Sequence, residues 1–267
     1  MSEKLKSHIP VWLKYLPWYI FKSPQRQLGL AKTWYIELSG ITHFTVNKLL
    51  NPKRHKLRPV SICTGIKNRT ANYLGFVLPS VLKMHHQHLI ELSVYDCGSV
   101  DVEFFRKELE EKWQGKLVFI SEPVPFTRSL SFNRAIAQAG NELIFGCDAD
   151  LDLPVDLVEQ CNKYVTSKTV WFPIFFNLFE GKSARLTKNN GEWFPLSRGM
   201  FACTKTQFNT IGKFNEIFVR WGGEDDDLWM RFYKYGFLPI RTRCKGLFHH
   251  YHPTAKPADY VPVKIEY

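Results

Sequence analysis

Three short constellations in this sequence carry residue types that can do chemistry. Asp148-Ala149-Asp150 follows an apolar Leu-Ile-Phe-Gly-Cys run, and carboxylates at i and i+2 on a strand-end loop can address one hard cation and the groups bound to it. Trp221-Gly222-Gly223-Glu224-Asp225-Asp226-Asp227-Leu228 puts four acids in succession behind a ring and two glycines. Acids favour the first turn of a helix, but four together are costly unless a cation or hydrogen-bonding ligand is near. One of them could take a proton from an attacking hydroxyl. The helix terminus would lower the pKa of such a base and neighbouring acids would raise it. His249-His250-Tyr251-His252-Pro253 offers imidazoles that could complete a metal site begun by Asp150.

The elements needed to bring these groups together can be read from Pro59 onward. Apolar runs at 60–64, 89–96, 117–121 and 143–147 alternate with helical stretches at about 69–86, 102–113 and 131–139. That alternation predicts βαβ units and a largely parallel sheet. In such sheets ligands bind beyond the carboxyl ends of the strands, where Thr64, Asp96, Asp148 and Asp150 each close a strand. Farther along, Asn190-Gly191 signals a turn or hairpin continuing through Trp193. A helix is expected from Glu224 to Tyr235, entered from Gly222-Gly223 and stopped by Gly236, with a last strand near 238–244.

Length and composition fit a folded chain with a full core: 267 residues, 45% hydrophobic and 23% charged. The net charge of +11 is unevenly spread. Within residues 1–58, eleven Lys or Arg face only Glu3 and Glu37, so nearly all of the excess lies there. The remainder is close to neutral, which argues against nucleic acid as a partner. We therefore divide the chain into a basic, aromatic N-terminal extension (1–58) and a catalytic domain (59–267). The extension reads either as helices packed on the domain or as a segment for an anionic membrane surface, with Lys53 to Arg58 as the basic run. Six scattered cysteines without a CxxC pair, and no stretch resembling a signal peptide or a bilayer span, give a reduced, cytoplasmic protein, peripheral on the inner membrane face where the extension binds it.

With these residues in view, the stretch from about Pro59 to Pro253 resembles the family-two type of GT-A glycosyltransferase. The features are Ser61-Ile62-Cys63-Thr64 with Arg69, then Tyr95-Asp96-Cys97-Gly98-Ser99-Val100-Asp101, then Arg128 with Ser131-Phe132-Asn133-Arg134-Ala135, then Asp148-Ala149-Asp150. The segment around Trp221 is similar to the C-terminal motif of β-1,4-galactosyltransferases, and is related to that of polypeptide N-acetylgalactosaminyltransferases and chondroitin-type synthases. The resemblance implies an α/β fold of GT-A type, a Rossmann-like, mainly parallel sheet flanked by helices, with an N-terminal helical extension. It implies an inverting, metal-dependent hexosyltransferase moving Gal or GalNAc from a UDP-sugar to a glycan or glycolipid hydroxyl, in bacterial-type surface polysaccharide synthesis. Thr64, Arg69, Asp96, Arg128 and Asp148 would bind the nucleotide-sugar. Asp150 would ligate Mn²⁺, with Mg²⁺ the second candidate, and His249 or His252 would be the later ligand. Trp221, Glu224 and Asp226 would hold the acceptor, and Asp225 would be the general base. Two other readings are a nucleotidyltransferase, which would need a richer Gly- and Lys-bearing loop after the first strand, and a non-catalytic carbohydrate-binding protein on the same fold.

Overall fold

The structure is a computed structural model that describes residues 24–50, 56–196, 198–219 and 222–253. The expectations placed on residues 1–23, on Lys53 and Arg54, and on Trp221 lie outside the described residues.

Helix α1 (Pro24–Leu50) leads into strand β1 (Val60–Ile66), and β2 (Ile90–Asp96), β3 (Lys116–Ser121) and β4 (Leu143–Gly146) follow in parallel with it. Their crossovers are a helical stretch α2 (70–81), α3 (Val102–Lys112) and α4 (Arg128–Gln138). The second half of the chain mixes directions. A short β5 (Leu151–Asp152) precedes α5 (Leu157–Tyr164), and β6 (Thr169–Leu178) turns through a hairpin into β7 (Gly191–Trp193). Then come β8 (Phe201–Thr204), α6 (Lys205–Thr210), α7 (Glu224–Lys234) and the long β9 (Leu238–His249). One sheet holds them all, in the order β3-β2-β1-β4-β8-β6-β9-β5, with β7 beside β6.

Sequence alternation explains how this sheet is covered on both faces. Ile62, Phe145, Trp171 and Ala202 point to a core shared with α2, α3 and α5, while their chain neighbours Cys63, Ile144, Phe172 and Phe201 point to one shared with α4, α6 and α7. Burying both faces is why β1 and β2 read as continuous apolar runs. The exception within β2 is Glu91, whose carboxylate accepts from the Ser61 hydroxyl at 2.7 Å and the Gly140 N–H at 2.6 Å, and pairs with Lys116 Nζ at 2.5 Å. Helix α4 lies close on β1, because a Cβ at Gly65 would stand 2.2 Å from Ser131 Oγ. All six cysteines are buried and unbridged, and burial raises the thiol pKa of each.

The helix expected over about 69–86 is less regular than its pattern. Two short α-helical pieces, Thr70–Asn72 and Leu78–Val81, flank a π-helical turn, Tyr73–Val77, and His86 takes a left-handed conformation with φ of 57°. The π turn aims Phe76 at the far end of the sheet, where its ring stacks on His250 with centroids 3.6 Å apart. Helix α1 packs on the domain: Ile36 enters one core, Phe44 meets Tyr164, and Gly40 lets the helix approach the Pro239 carbonyl. Arg58, read above as the end of a basic run for a membrane surface, is instead turned inward, where it donates to Asn162 Oδ1 and to the Val165 carbonyl. Among the described residues, no helix is long and apolar enough to cross a membrane.

Candidate active site

At the carboxyl end of β4 the chain leaves the sheet through Asp148-Ala149-Asp150 and returns as β5, which pairs antiparallel with the end of β9 so that Leu151 faces His249. That pairing brings together the first and third sequence constellations. His249 Nε2 lies 3.8 Å from Asp150 Oδ1 and His252 Nε2 lies 3.5 Å from Asp150 Oδ2. One ligand atom from each of the three residues falls within 4.8 Å of the others. Asp150 Oδ1 is buried and accepts no hydrogen bond, a costly state for a carboxylate oxygen that a cation would relieve. A carboxylate with two imidazoles can hold a divalent transition-metal ion, Mn²⁺ among them, so these residues fit the metal that the sequence implies. Both histidines left as alternatives by the sequence face Asp150.

Behind His249 stands Asn177 of β6. The parallel register of β6 and β9 sets these two residues side by side, and His249 Nδ1 lies 2.8 Å from Asn177 Oδ1. A proton on Nδ1 donated to that oxygen leaves Nε2 with its lone pair toward Asp150. Burial lowers the His249 pKa below the usual imidazole range, against the raising effect of Asp150.

Asp148 turns toward α4. Arg128 donates from Nε to Asp148 Oδ1 at 3.1 Å and from Nη2 to Asp148 Oδ2 at 3.4 Å. The same guanidinium donates to the Gly199 carbonyl, packs over the Phe132 ring at 4.7 Å, and faces Glu224 at 3.6 Å. Burial pulls the Arg128 pKa down, but Asp148, Glu224 and Asp225 outweigh it, so the cation is held firmly charged. Arg128 thus joins the Asp148 loop to the start of α7, a link that the sequence reading did not contain.

Helix α7 begins at Glu224 after two glycines with positive φ, Gly222 at 100° and Gly223 at 94°. Its four acids separate by role. Asp227 is buried and paired with Arg231 one turn later, at 2.6 Å, while Arg231 also holds the Ile211 and Lys213 carbonyls. Glu224 is buried beside Arg128, and its pKa is raised by burial first. Asp225 is partly buried, and its Oδ1 accepts from the Asp226 N–H at 2.9 Å. Its pKa is raised, by burial first and by Asp226 next, which resolves the competition with the helix terminus in favour of a more basic carboxylate. Asp226 is exposed and paired with Arg198, whose guanidinium lies over the Trp229 ring at 4.3 Å.

The residues expected to meet a nucleotide lie at the ends of β1 and β2 and in the loop between β1 and α2. Thr64 is fully buried, with its hydroxyl 3.3 Å from Cys147 Sγ. Asp96 is also fully buried, and its carboxylate accepts from the Gly98 and Ser99 N–H groups and from the Ser99 and Ser121 hydroxyls. Asn68 in turn receives the Val100 N–H and gives its own N–H to Ser99 Oγ, tying the loops after β1 and β2 together. Arg69 stands exposed on this loop pair. Sequence reasoning missed Asn177, Arg198 and Arg241. The signal for Asn177 was there, a single amide inside the apolar run Trp171-Phe172-Pro173-Ile174-Phe175-Phe176.

Comparison with known proteins bears on this geometry. A family described as the N-terminal domain of galactosyltransferase matches residues 189–253, the span that carries α7 and the histidines. Human chondroitin sulfate N-acetylgalactosaminyltransferase 2 is 27% identical over 215 residues, covering 72% of this chain and 40% of that protein. Mouse chondroitin sulfate synthase 3 is 25% identical over 189 residues, covering 64% of this chain and 21% of that protein. The chain thus spans less than half the length of either relative. Among solved structures, GalNAc-T7 with UDP, GalNAc and Mn²⁺ superposes with a TM-score of 0.59 at 16% identity, over 74% of this chain and 45% of that one. With its parallel first half, its metal-fitting loop after β4 and this likeness, the chain has the GT-A glycosyltransferase fold.

Proposed function

We propose that this chain is an inverting, metal-dependent hexosyltransferase that moves Gal or GalNAc from UDP to a hydroxyl of a growing glycan or glycolipid. The observation that carries the proposal is the joining of a cation-fitting cluster, Asp150 with His249 and His252, to a basic carboxylate, Asp225, through the Arg128 bridge between Asp148 and Glu224. Relatives whose names specify N-acetylgalactosamine transfer, and a neighbour holding UDP, GalNAc and Mn²⁺, support the donor class.

In this reading Asp150, His249 and His252 would hold Mn²⁺, which would supply positive charge against the diphosphate. Arg69 and the loops fixed by Asp96 and Asn68 receive the nucleotide, with Thr64 shaping the floor beneath. Asp148, oriented by Arg128, faces the donor sugar. Trp221, Glu224 and Asp226 hold the acceptor. Asp225 takes the proton from the acceptor hydroxyl as its oxygen bonds to the anomeric carbon and the bond from that carbon to the UDP oxygen breaks, a single displacement that inverts configuration. Burial of the base favours this step, because a raised pKa makes the carboxylate a better proton acceptor.

A UDP-release assay over a panel of UDP-sugars, with and without Mn²⁺ and repeated for Asp150→Ala, tests the proposal. Metal-dependent release from one donor, lost in the variant, supports it. No release from any UDP-sugar, together with no UDP binding by calorimetry, refutes it. The N-terminal extension is proposed to associate with anionic membrane, and co-sedimentation with anionic vesicles that is no weaker after Lys53, Arg54 and Lys56 are replaced by Gln would exclude that.

A further inference from the structure

Helix α1 lies outside the strand-helix alternation, yet it reaches a buried charge beneath the acceptor side of the site. Arg241 of β9 is buried, with 2% of its side chain exposed, and its Nη1 lies 3.6 Å from Glu37 Oε1 of α1. From the same guanidinium, Nη2 donates to the Pro195 carbonyl at 2.6 Å. Pro195 begins the connection from β7 to β8, which carries Arg198, and Arg198 pairs with Asp226 beside the proposed base. Helix α1 is seated for this contact at Gly40, where a Cβ would come within 2.5 Å of the Pro239 carbonyl, two residues before Arg241.

A buried guanidinium needs a counter-charge to stay in place. Glu37 supplies one from outside the sheet, and burial still draws the Arg241 pKa down to about 10. Nη1 of Arg241 faces Glu37 while Nη2 of the same planar fork holds the Pro195 carbonyl, so the carboxylate restrains the direction in which the second arm points. Resting on the reading of α7 as the acceptor side, we propose that Glu37 is a positioning residue for acceptor binding, acting through Arg241 on the Pro195 carbonyl and so on the Arg198–Asp226 pair. The N-terminal helix is then part of the scaffold of the acceptor half, and the metal and nucleotide half is independent of it.

The test compares Glu37→Gln and Glu37→Asp with wild type in the full chain, by steady-state kinetics and by hydrogen–deuterium exchange. Glu37→Gln should raise the acceptor KM roughly tenfold while donor KM and UDP affinity stay within about twofold. Amide exchange at Phe194 and Leu196, which flank Pro195, and at Arg198 should quicken while β1 and β2 stay protected. Glu37→Asp, which keeps the charge, should recover part of both effects, and it carries the comparison if the Gln variant does not fold. Unchanged exchange at Phe194 and Leu196 overturns the inference, as does a donor KM that rises as much as the acceptor KM. If the wild type transfers no sugar, the hexosyltransferase reading fails, and exchange alone decides the link from Glu37 to Pro195.

Discussion

The hydrogen bond behind His249 gives a sharp prediction. Replacing Asn177 with Ala removes the acceptor 2.8 Å from His249 Nδ1 and leaves Asp150, His249 and His252 themselves untouched. Loss of one neutral hydrogen bond costs about 1 kcal/mol net, or about fivefold in affinity. The ring also loses the partner that selects its tautomer and orientation, and partners of metal-bound histidines typically contribute about 10–100-fold to metal affinity. The ring is restrained on its other side by Phe175, with centroids 5.0 Å apart, so the lower end of that range applies. Asn177→Ala should therefore weaken Mn²⁺ binding about tenfold at pH 7.5, read from the free-ion signal in an electron paramagnetic resonance titration. Thermal stability should barely change, since Asn177 is only partly buried. Asn177→Asp should restore or exceed wild-type affinity. If Asn177→Ala binds Mn²⁺ within twofold of wild type while His249→Ala is much weaker, the bond does not tune the site. If His249→Ala and Asp150→Ala also bind normally, the cluster is not where the metal sits.

Asp225→Asn should lower turnover by about 10²–10⁴-fold and leave UDP binding by calorimetry intact. Because the Asp225 pKa is raised, first by burial, kcat/KM should be full above that pKa and fall away as pH drops through it, with its acid limb above the range of an ordinary aspartate. Arg128→Met leaves the buried Glu224 and the partly buried Asp148 without their cation and should cost about 3–5 kcal/mol of stability by denaturant titration. A smaller loss would mean that the acids are neutral in the fold. Gly65→Ala should destabilise by about 1–3 kcal/mol, since the new methyl would stand 2.2 Å from Ser131 Oγ and 2.8 Å from the Ser131 carbonyl carbon. Gly75→Ala, with nothing within 4 Å, should be neutral or slightly stabilising in the same melt.

The parallel half of the sheet was readable because β1, β2 and β4 are buried on both faces; Asp96 does close β2, but β1 runs two residues past Thr64 and β4 ends at Gly146, two residues before Asp148. The second half was less readable for a physical reason. In β6, Pro173 interrupts an apolar run, and a ten-residue run of that kind has neither the period of a helix nor that of a half-exposed strand. It is a strand because β9 and β8 pair with it, and those partners are remote in sequence. Helix α6 did carry a local mark, the capping box of Thr204 and Gln207, but at six residues it gives no periodicity to read. The cation-fitting cluster was legible as two separate motifs, while its closure depends on β5 pairing with the end of β9. Among the four acids of α7, the Asp227–Arg231 spacing was a readable sign of a structural role. Nothing local distinguished Glu224 from Asp225, because that difference comes from Arg128, almost a hundred residues earlier in the chain.

The acids differ in how the fold pairs them. Asp96 is fully buried and accepts hydrogen bonds on both oxygens, and Asp227 is buried against a guanidinium. Such groups are stabilised by the fold itself. Asp150 Oδ1, Glu224 Oε2, Arg128 Nη1 and Arg198 Nε are buried without a hydrogen-bond partner, though Arg128 faces Glu224 and Arg198 faces Asp226 as ion pairs. Leaving several such atoms unsatisfied costs about 1–3 kcal/mol each, a penalty that cation and substrate binding can reverse. Atoms in the same state, such as Gln138 Oε1 and Glu159 Oε2, also lie away from the site, so it is the facing of Asp150 by two imidazoles that marks the cation position. The raised pKa of Asp225 has a related cause: the burial that leaves its neighbours unsatisfied is the same burial that makes it a stronger base.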